Sequence, residues 1–115
     1  MPYLNIETNE RYEEIAVQEF LKKVSAFTAK LLGKPEQWLM ASVSQGVPMI
    51  FGGTTQPTAF VALKSIGLSQ ERCADLARSL CDFMAKELGM PPDRIYIEFR
   101  DLNGKMFGWN GGTFS

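Results

Sequence analysis

The sequence predicts an α/β (α+β) fold in which two β-α-β repeats form one four-stranded mixed sheet with two helices on one face. At 115 residues, of which 45% are hydrophobic, the chain suits a single domain over residues 1–115 with a modest core. Two halves, about residues 2–56 and 57–115, share the order strand, helix, strand. Both helical patterns end alike, at Gly33-Lys34-Pro35 and at Gly89-Met90-Pro91. Two strand–helix–strand units with right-handed crossovers then give one sheet covered by helices on one face.

The first half is predicted to contain a strand, a long helix and a second strand. Alternating apolar residues indicate a strand over Tyr3–Thr8, and apolar residues recur at helical spacing from about Tyr12 to Leu32. The helix ends there because Gly33 suits the left-handed position after a helix and Pro35 cannot continue it. The segment Trp38–Gln45 is predicted as the second strand.

The second half repeats this order. Thr58–Ser65 is predicted as a strand, and Ser69 is a plausible N-cap for a helix that runs to Leu88. Arg94–Arg100 is the fourth predicted strand, and Lys105–Phe107 is expected to add a short edge strand.

The four strands should present two different faces. One is continuously apolar and should meet the helices; it consists of Leu4, Ile6, Leu39, Ala41, Val43, Ala59, Val61, Leu63, Ile95, Ile97 and Phe99. The other mixes aromatic residues and methionine with polar and charged residues: Tyr3, Asn5, Glu7, Trp38, Met40, Ser42, Phe60, Ala62, Lys64, Tyr96, Glu98 and Arg100. Such a mixture is typical of a surface that another subunit covers or that lines a wet interior. We favour an oligomer; an ordinary exposed sheet face is the alternative.

Composition argues against several classes of function. The net charge is −1 and the basic residues are scattered, so we expect no nucleic-acid partner. No apolar run approaches the roughly 20 residues of a membrane span, and we expect no membrane partner. The segment Met1–Glu7 lacks the features of a signal peptide. The expected location is the cytoplasm. Release from the cell by a route that needs no signal peptide stays open.

The cysteine and histidine content predicts neither a disulfide nor a metal site. Cys73 and Cys81 lie eight residues apart on one predicted helix, about 12 Å along its axis, which is too far for a disulfide between them. We interpret both as small buried apolar residues. The chain has no histidine, so a structural zinc site is not expected, and no cofactor is predicted.

The dipeptide Met1-Pro2 is the main chemical feature of the chain. Proline is small enough for Met1 to be removed in the cell, which would leave a free secondary amine at Pro2. An α-amino group has a pKa of roughly 7.7–8.0, and burial or a nearby cation lowers it further. A neutral amine is a competent general base. The alternative is a Met-Pro start with no chemistry attached.

Other candidate residues lie near predicted strand ends. Lys34 follows the first helix, Ile66 lies in the Ser65-Ile66-Gly67 segment that closes the third strand, and Tyr96 projects from the fourth strand. An amine base, an ammonium, backbone donors and a phenol suit proton abstraction beside a carbonyl, because the cation and donors stabilise the enolate that forms. Spacing alone does not show that these groups converge.

The sequence resembles the macrophage migration inhibitory factor family of the tautomerase superfamily over nearly its whole length. The matching segments are Met1-Pro2, Gly33-Lys34-Pro35, Phe51-Gly52-Gly53-Thr54, Ser65-Ile66-Gly67, Pro92-Asp93-Arg94-Ile95-Tyr96-Ile97, and Gly108-Trp109-Asn110 with Thr113-Phe114. This order of motifs, at near-family spacing, is far more specific than any one of them. The resemblance implies a tautomerase-like fold.

The resemblance also implies a function and a set of roles. Members form homotrimers with active sites between subunits and catalyse keto–enol tautomerisation of phenylpyruvate-type and dopachrome-type substrates. By resemblance, Pro2 is the base, Lys34 binds the anionic group of the substrate, the Ile66 backbone contacts the substrate, and Tyr96 comes from the adjacent chain. The apolar wall would include Trp38, Phe107 and Trp109. Without the resemblance, Lys34 could equally be a solvated cation, and Tyr96 and Trp109 plain packing residues.

The chain departs from the family pattern at several positions. Glu98 stands where the family commonly has a polar amide, and a carboxylate there would repel acidic substrates and raise the pKa of Pro2. Tyr3 and Phe107 are bulkier or more polar than their usual counterparts. Some members carry Cys-x-x-Cys where this chain has Pro57–Phe60, so thiol oxidoreductase chemistry does not carry over.

Two other functions remain open. One is a cytokine-like protein that binds a host receptor and retains only vestigial catalysis, although no receptor surface can be identified in the sequence. The other is a related Pro2-dependent enzyme with a different small-molecule substrate.

Overall fold

The structure, a computed structural model, describes residues 1–114. Six strands and two α-helices follow in this order: β1 (Tyr3–Thr8), α1 (Glu14–Leu32), β2 (Met40–Ser44), β3 (Ala59–Ile66), α2 (Gln70–Leu88), β4 (Ile95–Leu102), β5 (Gly108–Trp109) and β6 (Gly112–Thr113). Short 3₁₀ helices at Glu36–Trp38, Pro92–Arg94 and Gly104–Met106 precede β2, β4 and β5.

The main sheet has the strand order β2-β1-β3-β4. Within each half the two strands are parallel, β1 with β2 and β3 with β4, while the two halves meet through the antiparallel pair β1 and β3. Tyr3 of β1 pairs with Met40 of β2 on one side and with Lys64 of β3 on the other. Lys64 in turn pairs with Arg100 of β4. The predicted mixed sheet of two β-α-β repeats is therefore confirmed.

The core lies between the sheet and the two helices. Alternate residues of β1 and β3 are fully buried, which is the pattern of strands with one face against the core. The helices meet this face through Phe20, Val24, Leu32, Leu76, Leu80, Met84 and Leu88. Both helices thus cover one face, as the alternation of apolar residues predicts.

Both helices end at a glycine in the left-handed conformation. Gly33 has φ 68° and Gly89 has φ 72°, and their N–H groups donate to carbonyls of the last helical turn. A β-carbon at positive φ is strained, so these positions favour glycine. At the other end of α2, Ser69 occupies the predicted N-cap position, but its side chain makes no capping hydrogen bond.

Three predicted strands begin later than expected, and two of them, β2 and β4, follow a 3₁₀ helix, while β3 begins at Ala59 instead of Thr58. Trp38 lies in the 3₁₀ helix Glu36–Trp38, and β2 begins only at Met40. Arg94 likewise ends the 3₁₀ helix Pro92–Arg94, so that β4 begins at Ile95. In both places an extended proline, Pro35 or Pro91, precedes the 3₁₀ turn, and Trp38 consequently projects from a turn.

The predicted edge strand Lys105–Phe107 is wrong. Gly104–Met106 forms a 3₁₀ helix because the Asn103 side chain accepts a hydrogen bond from the Lys105 N–H at 3.0 Å. A two-residue hairpin between β5 and β6 follows, with Asn110 at φ 51° and Gly111 at φ 82°. Positive φ at both central residues is what Asn-Gly supports in a hairpin.

The cysteines are less buried than predicted. Cys73 and Cys81 are both partly exposed, and both are free. Their thiols lie 3.6 Å from the carbonyl oxygens of Ser69 and Pro92, respectively, to which they donate. Among residues 1–114, neither long helix is apolar enough to cross a membrane.

The burial pattern predicts a large contrast between two identical substitutions. Ile6→Ala removes a side chain that is fully buried in the core, and we expect it to lower the free energy of unfolding by about 2–5 kcal/mol. Ile15→Ala alters a residue that is 75% exposed and should change it by less than about 0.5 kcal/mol. Urea denaturation of both variants measures the contrast, and equal effects would contradict this account of the core.

Candidate active site

Pro2 is buried at the start of the central strand β1. Less than 2% of its surface is exposed, and its carbonyl accepts a hydrogen bond from the Met40 N–H at 3.0 Å. Because Tyr3 pairs with Lys64, the same antiparallel register continued by one residue places Pro2 beside Ser65 of β3. The chain therefore fixes Pro2 on both sides.

Two cavities adjoin at Pro2. Both are lined by Met1, Pro2, Trp38 and Phe114. The large cavity, of about 500 Å³, adds Tyr3, Met40, Lys64, Leu102, Phe107, Gly108 and Trp109. The small cavity, of about 260 Å³, adds Lys34, Pro35 and Ile66. Six predicted site residues therefore lie around one point: Pro2, Lys34, Trp38, Ile66, Phe107 and Trp109.

Lys34 brings a cation to the small cavity. Its ammonium donates to the Ser65 hydroxyl at 2.7 Å and to the Ile66 carbonyl at 2.5 Å. Partial burial and the positive charge of Arg72 lower the pKa of Lys34, and the carboxylate of Asp101 acts in the opposite direction. The Ile66 carbonyl is thus engaged by Lys34 and helps to hold the ammonium in place.

The turn after Ile66 is fixed by Asp101. Its Oδ1 accepts hydrogen bonds from the N–H groups of Gly67 and Leu68, each at 3.0 Å. Gly67 has φ 76°, a conformation that favours glycine. One carboxylate therefore orders the backbone beside the small cavity and stabilises the charge of Lys34.

Aromatic rings form the outer wall of the large cavity. Trp38 meets Trp109 edge to face with ring centroids 4.8 Å apart, and Trp109 stacks on Phe114 at 6.2 Å. The ring of Phe107 lies 5.9 Å from that of Phe114, whose N–H donates to the carbonyls of Gly104 and Phe107. Phe114 is not among the predicted site residues, although it belongs to the matching segment Thr113-Phe114. Met40 and Lys64 are likewise additions from the structure.

The terminal amine lies between these groups. In the chain with Met1 present, the Pro2 nitrogen is part of an amide, and the free amine belongs to Met1. Burial, and then the positive charge of Lys34, lower the pKa of this amine below its ordinary value. The site thus provides an environment that favours a neutral amine.

Tyr96 and Glu98 lie away from Pro2 within this chain. Tyr96 pairs with Phe60, which in turn pairs with Glu7 of β1. Glu7 lies four residues beyond Tyr3, so Tyr96 is displaced along the strands from the start of β1 by about 13 Å. The Tyr96 ring packs against Phe51 with centroids 4.6 Å apart. One chain therefore does not bring Tyr96 to the predicted base.

Glu98 faces a cation of its own strand. Its carboxylate forms an ion pair with Arg100 at 3.4 Å, and its side chain is 42% exposed. In the register it lies opposite Ala62, in the middle of the sheet. Its predicted effect on Pro2 would therefore require a second copy of the chain and stays a prediction.

The comparisons with known proteins agree on one family. The model of the family described as macrophage migration inhibitory factor (MIF) matches residues 1–115. The chain is 42% identical to a macrophage migration inhibitory factor homolog of Brugia malayi over 115 residues, with 99% of both chains covered. A homolog of Trichinella spiralis is 37% identical over 115 residues, covering 99% of this chain and 100% of the relative.

Solved structures are similarly close. The crystal structure of a macrophage migration inhibitory factor homologue from Prochlorococcus marinus matches with a TM-score of 0.91 at 40% identity, covering 98% of this chain and 99% of the other. The structure of the factor from Trichinella spiralis gives a TM-score of 0.89 at 36% identity, covering 97% and 99%. The similarity therefore extends over nearly the whole chain.

The position of Lys34 predicts a change in the pKa of the terminal amine. Lys34→Gln removes a cation that disfavours the protonated amine, so this pKa should rise, although burial should keep it below the ordinary value. NMR titration of the terminal amine measures the shift. Lys86→Gln, which alters an exposed lysine in the last turn of α2, is the matched control. An equal pKa in both variants would show that Lys34 does not act on the amine.

Proposed function

The chain belongs to the macrophage migration inhibitory factor family, and we propose that it is a keto–enol tautomerase whose base is the nitrogen of Pro2 after removal of Met1. The family is associated with tautomerase activity and with cytokine-like roles. The observation that carries the proposal is the position of Pro2, buried at the junction of two cavities and close to the Lys34 ammonium.

The surroundings of Pro2 suit an uncharged base. The terminal amine of the chain with Met1 already has a lowered pKa because of burial and Lys34. The Pro2 nitrogen lies deeper in the same place, so the same two causes should act on it once it is free. A lowered pKa increases the neutral fraction at pH 7, and only the neutral amine accepts a proton.

The proposed reaction is a proton transfer with no net redox change. The Pro2 nitrogen takes a proton from the carbon beside the substrate carbonyl. The electron pair of that C–H bond forms the C=C bond, and the carbonyl π pair moves to the oxygen. The enolate oxygen then takes a proton from solvent while the protonated Pro2 amine releases its proton to solvent, which regenerates the base, and ketonisation follows the same steps in reverse. Lys34 binds the substrate carboxylate and stabilises the negative charge.

The walls of the large cavity favour substrates with a flat ring. Trp38, Phe107 and Trp109 present apolar aromatic surface, against which an aromatic substrate can pack. Phenylpyruvate-type and dopachrome-type compounds combine such a ring with an enolisable centre and a carboxyl group. They are therefore the substrates that we propose for the first assays.

A homotrimer would complete the site. The sheet face opposite the helices carries Met40, which is 67% exposed, and Tyr96, which is 59% exposed. Large exposed apolar residues among charges suit a surface that other subunits cover. In the proposed trimer, Tyr96 of a neighbouring copy reaches the substrate and Glu98 of that copy brings a carboxylate near it.

Pro2→Gly should abolish most of the turnover. The substitution alters the geometry and basicity of the terminal amine, so kcat/KM for phenylpyruvate should fall by about 100-fold or more, in the range of general-base contributions. Tautomerisation is followed by absorbance, and intact mass shows whether Met1 is absent. Pro48→Gly, in an exposed loop, is the matched control and should retain wild-type turnover. Full activity of the Pro2→Gly variant would refute the proposed base.

Mixed assemblies should test the proposed contribution of Tyr96. Pro2→Gly and Tyr96→Ala chains each lack one part of every site, but in trimers assembled from equal amounts about a quarter of the sites have both native residues. Co-refolded material should therefore regain turnover, and its mass should be three times the chain mass of 12.9 kDa. If the turnover of the co-refolded mixture does not exceed the mean turnover of the two separate variants, a site shared between chains is contradicted.

A further inference from the structure

We propose that the substrate carries a second anionic group, which Lys64 binds in the large cavity while Lys34 binds the first in the small cavity. The inference rests on the proposed function, because it assigns a substrate class to the same site. The class is an aromatic α-keto acid that carries a second carboxylate at the far end of its flat apolar part.

Lys64 is the second cation beside Pro2. It lies on β3 and lines the large cavity, with its ammonium 6.0 Å from the centre of the Tyr3 ring. Among residues 1–114, no carboxylate lies within ion-pairing distance of it. The nearest basic residue in the register, Arg100, has Glu98 as its partner, so Lys64 keeps an uncompensated charge within this chain.

Within one chain, the two cavities hold cations but no carboxylates, and Glu98 of a neighbouring copy is the carboxylate that the proposed trimer would bring near them. Of the described residues that line them, Lys34 and Lys64 are charged, and no aspartate or glutamate is present. The remaining walls are mainly apolar, which weakens solvent screening and strengthens the attraction of an anion. A neutral or cationic ligand would gain nothing from these two lysines.

The backbone places the lysines on either side of the proposed base. Pro2 lies beside Ser65 when the register of β1 and β3 is continued by one residue. Lys34 binds the Ser65 hydroxyl from the small cavity, and Lys64 precedes Ser65 on β3 and lines the large cavity. A molecule anchored at both ends would therefore cross Pro2 with its central carbons, where proton transfer takes place.

Met1 contacts both binding regions. It lines both cavities, so its removal frees the Pro2 nitrogen and widens the passage between them.

Two substrates that differ in one carboxylate test the proposal. Phenylpyruvate has one anionic group, and phenylpyruvate with a carboxylate at ring position 4 has two. We expect kcat/KM to be roughly tenfold higher for the dianion, which corresponds to about 1.4 kcal/mol. Lys64→Gln should abolish this preference, Lys64→Arg should keep it, and Lys86→Gln should leave it unchanged. Thermal denaturation checks that each variant is folded.

The outcomes separate this inference from the proposed function. If Pro2→Gly abolishes turnover but the wild-type protein converts the two substrates with equal kcat/KM, the tautomerase proposal stands and the second anion site is refuted. If Lys64→Gln lowers turnover of both substrates by the same factor, Lys64 has a structural role, such as pairing with Glu98 of a neighbouring copy, and the inference also fails.

A binding experiment tests the inference even without turnover. Cinnamate and 4-carboxycinnamate cannot enolise, and they differ by the same carboxylate. Calorimetry should show tighter binding of 4-carboxycinnamate, by roughly tenfold, and Lys64→Gln should remove the difference. Equal affinities in the wild-type protein would overturn the proposal whether or not the protein is a tautomerase.

Discussion

The pairing of β1 with both of its neighbours is the constraint on which the rest of the structure depends. β1 is held by β2 on one side and by β3 on the other, and the Pro2 carbonyl extends the pairing beyond the first residue of the strand. Leu4 and Ile6 bury their side chains beneath the helices and fix which face each residue presents. The start of the chain is therefore an ordered part of the sheet, and a base there needs no further device to position it.

The charged side chains around Pro2 are distributed unevenly. Lys34 is held by Ser65 and by the Ile66 carbonyl, while Asp101 lies behind it and orders the following turn. The cavities themselves contain no carboxylate among the described residues. Lys34 thus serves two purposes, since its positive charge favours a neutral terminal amine and also favours an anionic substrate.

Much of the fold and part of the candidate site could be predicted from the sequence. Hydrophobic alternation and the two Gly-x-Pro helix ends are sufficient to predict the sheet and helices, because burial on one face determines both. The alternation of its neighbours predicts a strand at Trp38, whereas Pro35 starts a 3₁₀ turn there. The hairpin between β5 and β6 is not among the predicted elements, although Asn110-Gly111 is a strong turn signal.

The remaining site residues depend on contacts that local patterns do not contain. Phe114 joins the cavity only because the hairpin folds back over Gly104, and Lys64 gains its place from its pairing with Tyr3. The roles of Tyr96 and Glu98 depend on a second copy of the chain, so the register of one sheet leaves them as predictions.

The most direct test of the central claim is a ¹⁵N NMR titration of Pro2 in mature protein labelled at proline. The account predicts a pKa below the ordinary α-amino range that coincides with the acidic limb of kcat/KM. Turnover by protein that retains Met1, or a Pro2 pKa unrelated to the rate profile, would contradict it.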